Sequence, residues 1–103
     1  MAGYNNWEVW FADVKFEDSD EVKQRPVVIV ENHTAYILAL KVTGHEPRKN
    51  YPGEYRLKFW REAGLAKPST VRISKKLYLE DRDLNRCLGR LHPYDIIQIQ
   101  TFI

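Results

Sequence analysis

Arg25 is the residue whose place in the sequence points most directly to chemistry. It directly precedes Pro26, after which residues 27–30 are all apolar and β-branched. Proline has no backbone N–H, so it suits the start of a strand, and an unbroken apolar run indicates a central strand that is covered on both faces. Arg25 therefore stands at the mouth of a predicted buried strand. Because a guanidinium can pair with two phosphate oxygens and stays charged, we expect Arg25 to bind a phosphate.

Histidine is the usual proton-transfer group at neutral pH, and the chain has three. His33 lies in a predicted turn and His92 precedes a proline at a predicted helix start, so we expect both to be structural. His45 lies two residues after Thr43, in the loop beside the proposed site, and is the best candidate for an acid or base. The single Cys87 excludes an intrachain disulfide and a cysteine-based metal site. We expect no metal and no other cofactor.

The composition is typical of one folded domain, residues 1–103, with 44% hydrophobic and 13% aromatic side chains. No apolar run approaches the roughly 20 residues that span a bilayer, and the N-terminus lacks the features of a signal peptide, so we expect a cytoplasmic protein without a membrane segment. The net charge is only +2, but residues 1–24 hold six acidic side chains and residues 65–90 hold seven basic ones. This asymmetry permits a face that binds a polyanion, although a solvated basic face is as common.

The elements that must position these residues are short strands. Apolar and β-branched runs between turn residues predict six of them, over residues 7–14, 25–30, 35–42, 54–57, 68–74 and 84–91. Residues 58–63, followed by Gly64, predict a short internal helix capped by glycine. The last segment, 93–103, alternates in part like a strand, but its first proline and its isoleucine spacing favour a helix. The fold class is therefore mainly β (α+β), a small and partly closed antiparallel barrel.

The segment before Arg25, residues 16–24, is predicted to be a polar loop. It carries a group of carboxylates, Glu17, Asp18, Asp20 and Glu21, and is longer than a hairpin needs. Surplus loops next to a site often cover it, so we expect this one to be mobile and to gate the site. Its negative charge would repel a polyanion, which could bind only when the loop swings aside.

Nearly the whole chain resembles the MazF/PemK family of toxins from bacterial toxin–antitoxin systems. The matching features are the opening strand 7–16, the acidic loop ending in Lys-x-Arg-Pro-Val, Thr43 after the third strand, a Tyr-Pro element at 51–55, and residues 63–72, which read Ala-Gly-Leu-Ala-Lys-Pro-Ser-Thr-Val-Arg. The resemblance implies an SH3-like barrel of the MazF/PemK/CcdB type that forms a homodimer. It also implies a metal-independent endoribonuclease that acts on single-stranded messenger RNA and is neutralised by a cognate antitoxin protein.

The same resemblance implies a set of site residues. Arg25 matches the family's catalytic arginine, and Thr43 would donate a hydrogen bond to the same phosphate. His45 joins these two as a catalytic candidate because of its position in the loop. RNA would be bound by the residues that match the family's further site positions or flank them, namely Lys23, Tyr51, Ser69, Thr70 and Arg72, with Tyr51 as a loop aromatic on which a base could stack.

A function of a different class stays open at this point. The family usually opens with a Gly-Asp or Gly-Glu pair, whereas residues 6–8 read Asn-Trp-Glu here. The missing glycine favours a non-catalytic module that binds RNA or a protein such as DNA gyrase. Arg25 and Thr43, which are both retained, favour the nuclease.

Overall fold

Six strands, one short 3₁₀ helix (Asp81–Asp83) and one terminal α-helix form the part of the chain that the computed structural model describes, residues 4–15, 21–50 and 52–102. In chain order the strands and the α-helix are β1 (Glu8–Lys15), β2 (Val22–Asn32), β3 (Ile37–Thr43), β4 (Glu54–Arg56), β5 (Thr70–Leu79), β6 (Leu84–Arg90) and α1 (Pro93–Gln100). The mainly β class and the terminal helix are therefore confirmed. Within these ranges no helix is both long and apolar enough to cross a membrane.

All strand pairs are antiparallel and form one sheet in the order β4-β5-β3-β2-β1-β6. The sheet is open, with β4 and β6 at its edges, so the expected barrel closure is not confirmed. β2 lies in the middle, as its apolar run predicts. Pro26, however, lies inside β2 rather than at its start, because the strand already begins at Val22. The missing N–H is tolerated there because the ladder to β3 begins only at Val27.

Apolar side chains cover both faces of β2 and form two core clusters. Val28 and Val30 belong to the larger cluster, which also includes Ile99 of α1, whereas Val27 and Ile29 belong to the smaller one. The register shifts in three strand pairs, β1–β6, β2–β3 and β3–β5. Such irregularities bend and twist a sheet, which lets one sheet wrap around both clusters.

The predicted internal helix over residues 58–63 is wrong, because this segment consists of bends and hydrogen-bonded turns. The N–H of Ala63 does bond the carbonyl of Phe59 with helical spacing (3.2 Å), but the two following N–H groups bond carbonyls three and five residues back. Gly64 takes the left-handed conformation expected of a glycine cap, with φ of 89°. The chain therefore leaves the turn before a second helical turn can form.

Two glycines let this turn lie directly against the opposite edge of the sheet. A Cβ on Gly64 would overlap the carbonyl group of Leu88, and a Cβ on Gly89 would lie 2.5 Å from the carbonyl oxygen of Ala63. The turn that follows β4 is thus in backbone contact with β6. This contact joins the turn to the edge strand β6 without a hydrogen-bonded ladder.

Asp95 fixes the terminal helix to the same turn. Its side chain is fully buried in the first turn of α1 and accepts hydrogen bonds from the Tyr55 hydroxyl (2.6 Å) and from the N–H groups of Lys58 (3.0 Å) and Phe59 (2.9 Å). Burial, together with the bond to Asp95, raises the pKa of Tyr55 well above its ordinary value. Tyr55 therefore remains a protonated donor. His92 caps α1 through Nδ1, which agrees with its predicted structural role.

The contact between the turn and β6 predicts that Gly89→Ala destabilises the fold. The added methyl would press on rigid backbone, so we expect a loss of about 2 kcal/mol in the free energy of unfolding, measured by urea denaturation. Gly44→Ala is the matched control, since its methyl would meet only the flexible end of Lys67. Equal stability of the two variants would contradict the proposed backbone constraint.

Candidate functional site

A cleft of about 650 Å³ lies beside the open end of the β2–β3 hairpin, away from its connecting turn. Its walls come from β1, β2, β3, β5 and β6 and from residues 64–67, which follow the turn. The contact of Gly64 with β6 therefore sets the position of one wall relative to the other. The cleft is the place where strands that are distant in sequence present side chains to a common space.

Every charged side chain among the described lining residues of this cleft is cationic. Five arginines and lysines contribute, namely Arg25, Lys41, Lys67, Arg72 and Arg86. Thr43 and Ser69 add hydroxyl groups, and none of the lining residues that the structure describes is Asp, Glu or His. A concave surface with this charge attracts a polyanion and concentrates the field at its centre.

The structure places Arg25 and Thr43 together in the cleft. The β2–β3 ladder pairs Val27 with Lys41, and the same register continued by two residues brings Arg25 opposite Thr43. Arg25 is half-buried, and its Nη1 donates to the carbonyl of the preceding Gln24 (3.1 Å). Arg25 within β2 thus brings a guanidinium, and Thr43 at the end of β3 a hydroxyl, to the same edge of the cleft.

Arg72 also lines the cleft and is held there by Glu54, a residue that the sequence analysis missed. Its Nε donates to Glu54 Oε2 (3.1 Å), and the Glu54 carboxylate accepts two further bonds from Arg48, one from Nη2 (2.9 Å) and one from the N–H (3.0 Å). The Glu54 side chain is only 1% exposed. The hydrogen bond from Arg48 outweighs burial and lowers the pKa of Glu54 to about 2. Because Arg72 uses Nε for this bond, its terminal nitrogens can face an anion.

The hydroxyl groups of Ser69 and Thr70 are used within the protein. Ser69 is buried at the cleft wall and donates to the carbonyl of Lys67 (2.8 Å). Thr70 lies outside the lining, is fully buried, and donates to the carbonyl of His45 (2.5 Å). In this structure Thr70 therefore supports the loop that carries His45 and has no exposed surface with which to meet RNA.

Three further predicted residues do not line the cleft. His45 is exposed, and its Nδ1 donates to the carbonyl of Glu46 (3.0 Å), which leaves Nε2 as an acceptor. Lys23 is exposed on β2, where its ammonium lies 3.6 Å from a carboxylate oxygen of Glu21. Tyr51 lies outside the described residues, as do residues 16–20 of the predicted acidic loop. Among the described residues, no group of three or more His, Cys, Asp or Glu could hold a metal ion.

Three cationic lining residues and one aromatic lining residue were not assigned from the sequence, namely Lys41, Lys67, Arg86 and Phe11. Lys41 carries a signal that could have identified it, because it is the one charge in an otherwise apolar strand. The end of the Lys67 side chain lies against Gly44, where a Cβ would come 2.8 Å from its Cε, next to Thr43. The other two, Phe11 and Arg86, show no local signal.

Comparison with known proteins adds a family and a fold. Residues 5–103 match the family model of PemK-like, MazF-like toxins of type II toxin–antitoxin systems. No curated protein sequence matches the chain significantly. Solved structures with a similar fold include an endoribonuclease from a mycobacterial species, with a TM-score of 0.72 and 20% sequence identity over 99% of this chain and 88% of that one.

Two other solved structures are similar to the same degree. One is an endoribonuclease in complex with its cognate antitoxin, also from a mycobacterial species, with a TM-score of 0.68 and 21% identity over 94% of this chain and 87% of that one. The other is the Mycobacterium tuberculosis toxin MazF-mt6, with a TM-score of 0.69 and 21% identity over 93% and 91%. At these identities the likeness concerns the fold.

The buried carboxylate of Glu54 predicts how stability depends on pH. Its pKa of about 2 in the folded protein lies below the ordinary value of 4.5. Its stabilising contribution is therefore complete above its ordinary pKa and is lost as the pH falls from 4.5 towards 2. We expect Glu54→Gln to lower the free energy of unfolding at pH 7 by about 3 kcal/mol and to flatten its decline with acid.

Urea denaturation at pH 7, 5 and 3 measures this dependence. Glu62→Gln, which alters an exposed carboxylate, is the matched control and should follow the wild type. Parallel stability curves for wild type and Glu54→Gln would show that the carboxylate does not hold its two arginines.

Proposed function

The chain belongs to the PemK-like, MazF-like toxin family of type II toxin–antitoxin systems, and from this premise we propose that it is a metal-independent endoribonuclease that cleaves single-stranded messenger RNA. The observation that carries the proposal is the cationic cleft with Arg25 and Thr43 at one edge. Two of the solved proteins of similar fold are themselves endoribonucleases. A chain of phosphates is the ligand that best complements five cations without a carboxylate in the described lining.

The proposed reaction uses the RNA's own 2′-hydroxyl as nucleophile. Its oxygen bonds to the adjacent phosphorus, the bond from phosphorus to the 5′-oxygen breaks, and the products carry a 2′,3′-cyclic phosphate and a 5′-hydroxyl. Negative charge builds on the non-bridging oxygens in the transition state. Arg25 would stabilise this charge with two parallel hydrogen bonds, and Thr43 would donate a third.

Proton transfer is assigned to His45 in this proposal. The described cleft lining holds no imidazole or carboxylate, so the candidate is His45 in the adjoining loop, whose neutral imidazole has an acceptor lone pair on Nε2 when Nδ1 donates to the Glu46 carbonyl. The side chain would have to turn from the loop towards Thr43, two residues away. Lys23, Tyr51, Ser69 and Arg72 would hold the RNA strand on either side of the scissile bond.

A binding module without catalysis is the second candidate function. It is favoured by one observation, that the described lining contains no acid or base. Such a protein would bind RNA, or a protein target such as DNA gyrase, through the same cations and leave RNA intact. Incubation with a long RNA in EDTA separates the two candidates, because only the nuclease shortens the RNA.

The partners proposed for this chain are a cognate antitoxin protein and a second copy of itself. The family is one of toxin–antitoxin systems, and one solved protein of similar fold is in complex with its cognate antitoxin. A homodimer would join two shallow clefts into a groove long enough for several nucleotides. The proposed setting is the cytoplasm, and the proposed architecture is an SH3-like barrel, with the contact of Gly64 and Gly89 taking the place of a closing ladder.

Arg25→Ala tests the proposed active site. Loss of one preorganised charge donor should cost about 3 kcal/mol of transition-state stabilisation, or roughly a hundredfold in the rate of RNA cleavage in EDTA. Arg90→Ala removes an exposed arginine from β6 outside the cleft lining and should cleave at nearly the wild-type rate. If Arg25→Ala cleaves as fast as this control, the assigned site is wrong.

The proposed homodimer has its own measurement. Sedimentation equilibrium at micromolar concentration should give a mass of twice 12.2 kDa. A mass of 12.2 kDa at these concentrations would exclude a stable dimer and leave each cleft to act alone.

A further inference from the structure

Phe11 is an aromatic residue that the core does not use. It is half-buried in β1, yet it belongs to neither core cluster, whereas Val9, Ala12 and Val14 of the same strand are buried in those clusters. Aromatic side chains in a small domain usually supply a large part of the core. Phe11 instead lines the cationic cleft.

Strand alternation brings Phe11 to the cleft. The β1–β2 ladder is regular from Val9 to Lys15, so Val9 and Phe11 share one face, whereas the extra residues in the pairing with β6 lie in β6 on either side of Arg86. The register between β1 and β6 shifts between Val9 and Trp10, and again between Phe11 and Ala12. Bulges of this kind re-aim side chains and are common beside functional sites.

Arg86 completes the arrangement from the edge strand β6. It pairs with Phe11 across the ladder, and its Cζ lies 5.1 Å from the centre of the Phe11 ring. Arg86 is exposed and lines the same cleft, and its side chain makes no hydrogen bond or ion pair with the described residues. An arginine that is held by an aromatic face alone can exchange that face for another planar group.

The position of Phe11 and Arg86 relative to Arg25 indicates which ligand the two side chains would bind. Across the sheet, Arg86 is opposite Phe11, and Phe11 is opposite Pro26, the residue after Arg25. Neighbouring strands lie about 4.8 Å apart, so the ring is one strand away from the proposed phosphate site. A nucleotide that adjoins the bound phosphate can reach the ring with its base.

We propose that Phe11 and Arg86 form a nucleobase-stacking subsite at the β6 end of the cleft, which takes the base next to the phosphate held by Arg25. The inference rests on the proposed RNA-cleaving function and adds a position at which the RNA substrate is bound. The base would stack on the Phe11 ring, and the Arg86 guanidinium would cover its outer face. Because every base has a π-face, this subsite would add affinity at one position of the RNA without selecting one base.

The test uses an RNA oligonucleotide that binds without being cut. Its sequence is taken from a site that the wild-type protein cleaves, with a single 2′-deoxy substitution at the nucleotide whose 2′-hydroxyl would attack. Abasic positions are then introduced one at a time. In the wild type, one abasic position beside the scissile phosphate should weaken binding about tenfold. Phe11→Leu should bind the intact oligonucleotide about tenfold more weakly. It should also lose the abasic penalty, that is, the further weakening of binding when the base at that position is removed.

Three further variants separate stacking from charge and from folding. Phe11→Tyr keeps the ring and should retain the abasic penalty, whereas Arg86→Gln should reduce it. Arg90→Gln removes the same charge from β6 outside the cleft lining and should leave the penalty unchanged. Thermal denaturation of each variant shows whether a loss of binding follows a loss of fold.

The failure of this inference differs from the failure of the proposed function. If the wild type cleaves RNA but the abasic scan is flat, or if Phe11→Leu keeps the full penalty, the stacking subsite is overturned and the nuclease stands. In that case the Phe11 ring would be available to contact a protein partner instead of a base. If the wild type neither binds nor cleaves RNA, both proposals fall together.

Discussion

The backbone contact between Gly64 and Gly89 is the constraint on which the rest of the structure depends. The sheet is open, and its edge strands β4 and β6 share no ladder. Only where two backbones meet without side chains between them can the turn after β4 lie against β6. That meeting places residues 64–67 opposite Arg86, and the space between them is the cleft. The shape of the candidate site is therefore a consequence of two missing Cβ atoms.

The buried carboxylates keep the charge of this cleft organised. Glu54 accepts its bonds from Arg48 and Arg72 behind the cleft wall, and Asp95 accepts its bonds beneath the turn at the start of α1. Neither lines the cleft. The protein thus uses buried acids to position Arg72 and the turn that precedes one wall of the cleft. A preorganised positive surface of this kind stabilises negative charge that develops during a reaction, since its dipoles need no rearrangement.

Local sequence patterns predict the elements of this fold better than they predict the site. The β-branched run after Pro26 correctly predicts a central strand that is covered on both faces, and the hairpin that follows brings Arg25 and Thr43 to one end. The internal helix fails because backbone contact with β6 takes precedence over helix propensity at Gly64. Barrel closure is not confirmed, and local patterns could not decide it, because strand pairing at the edges depends on contacts between residues distant in sequence.

The remaining site residues depend on long-range geometry. In the sequence Thr70 resembles an exposed strand residue, but its hydroxyl donates a hydrogen bond to the carbonyl of His45. Phe11 follows the alternation of β1, but its partner Arg86 lies between two register shifts of β6 against β1, and a register shift leaves no trace in either strand alone. Lys41 is the exception, since one lysine in an apolar strand already indicates a purpose other than packing.

The proposed reaction is metal-independent cleavage of RNA by the substrate's own 2′-hydroxyl. Mass spectrometry of the products formed in EDTA tests it most directly, with a matched RNA that carries one 2′-deoxy nucleotide at the cleaved position. The account predicts a 2′,3′-cyclic phosphate on one product, a 5′-hydroxyl on the other, and an uncut bond in the deoxy-substituted RNA. Products with 3′-hydroxyl and 5′-phosphate ends, or cleavage at the deoxy position, would contradict it.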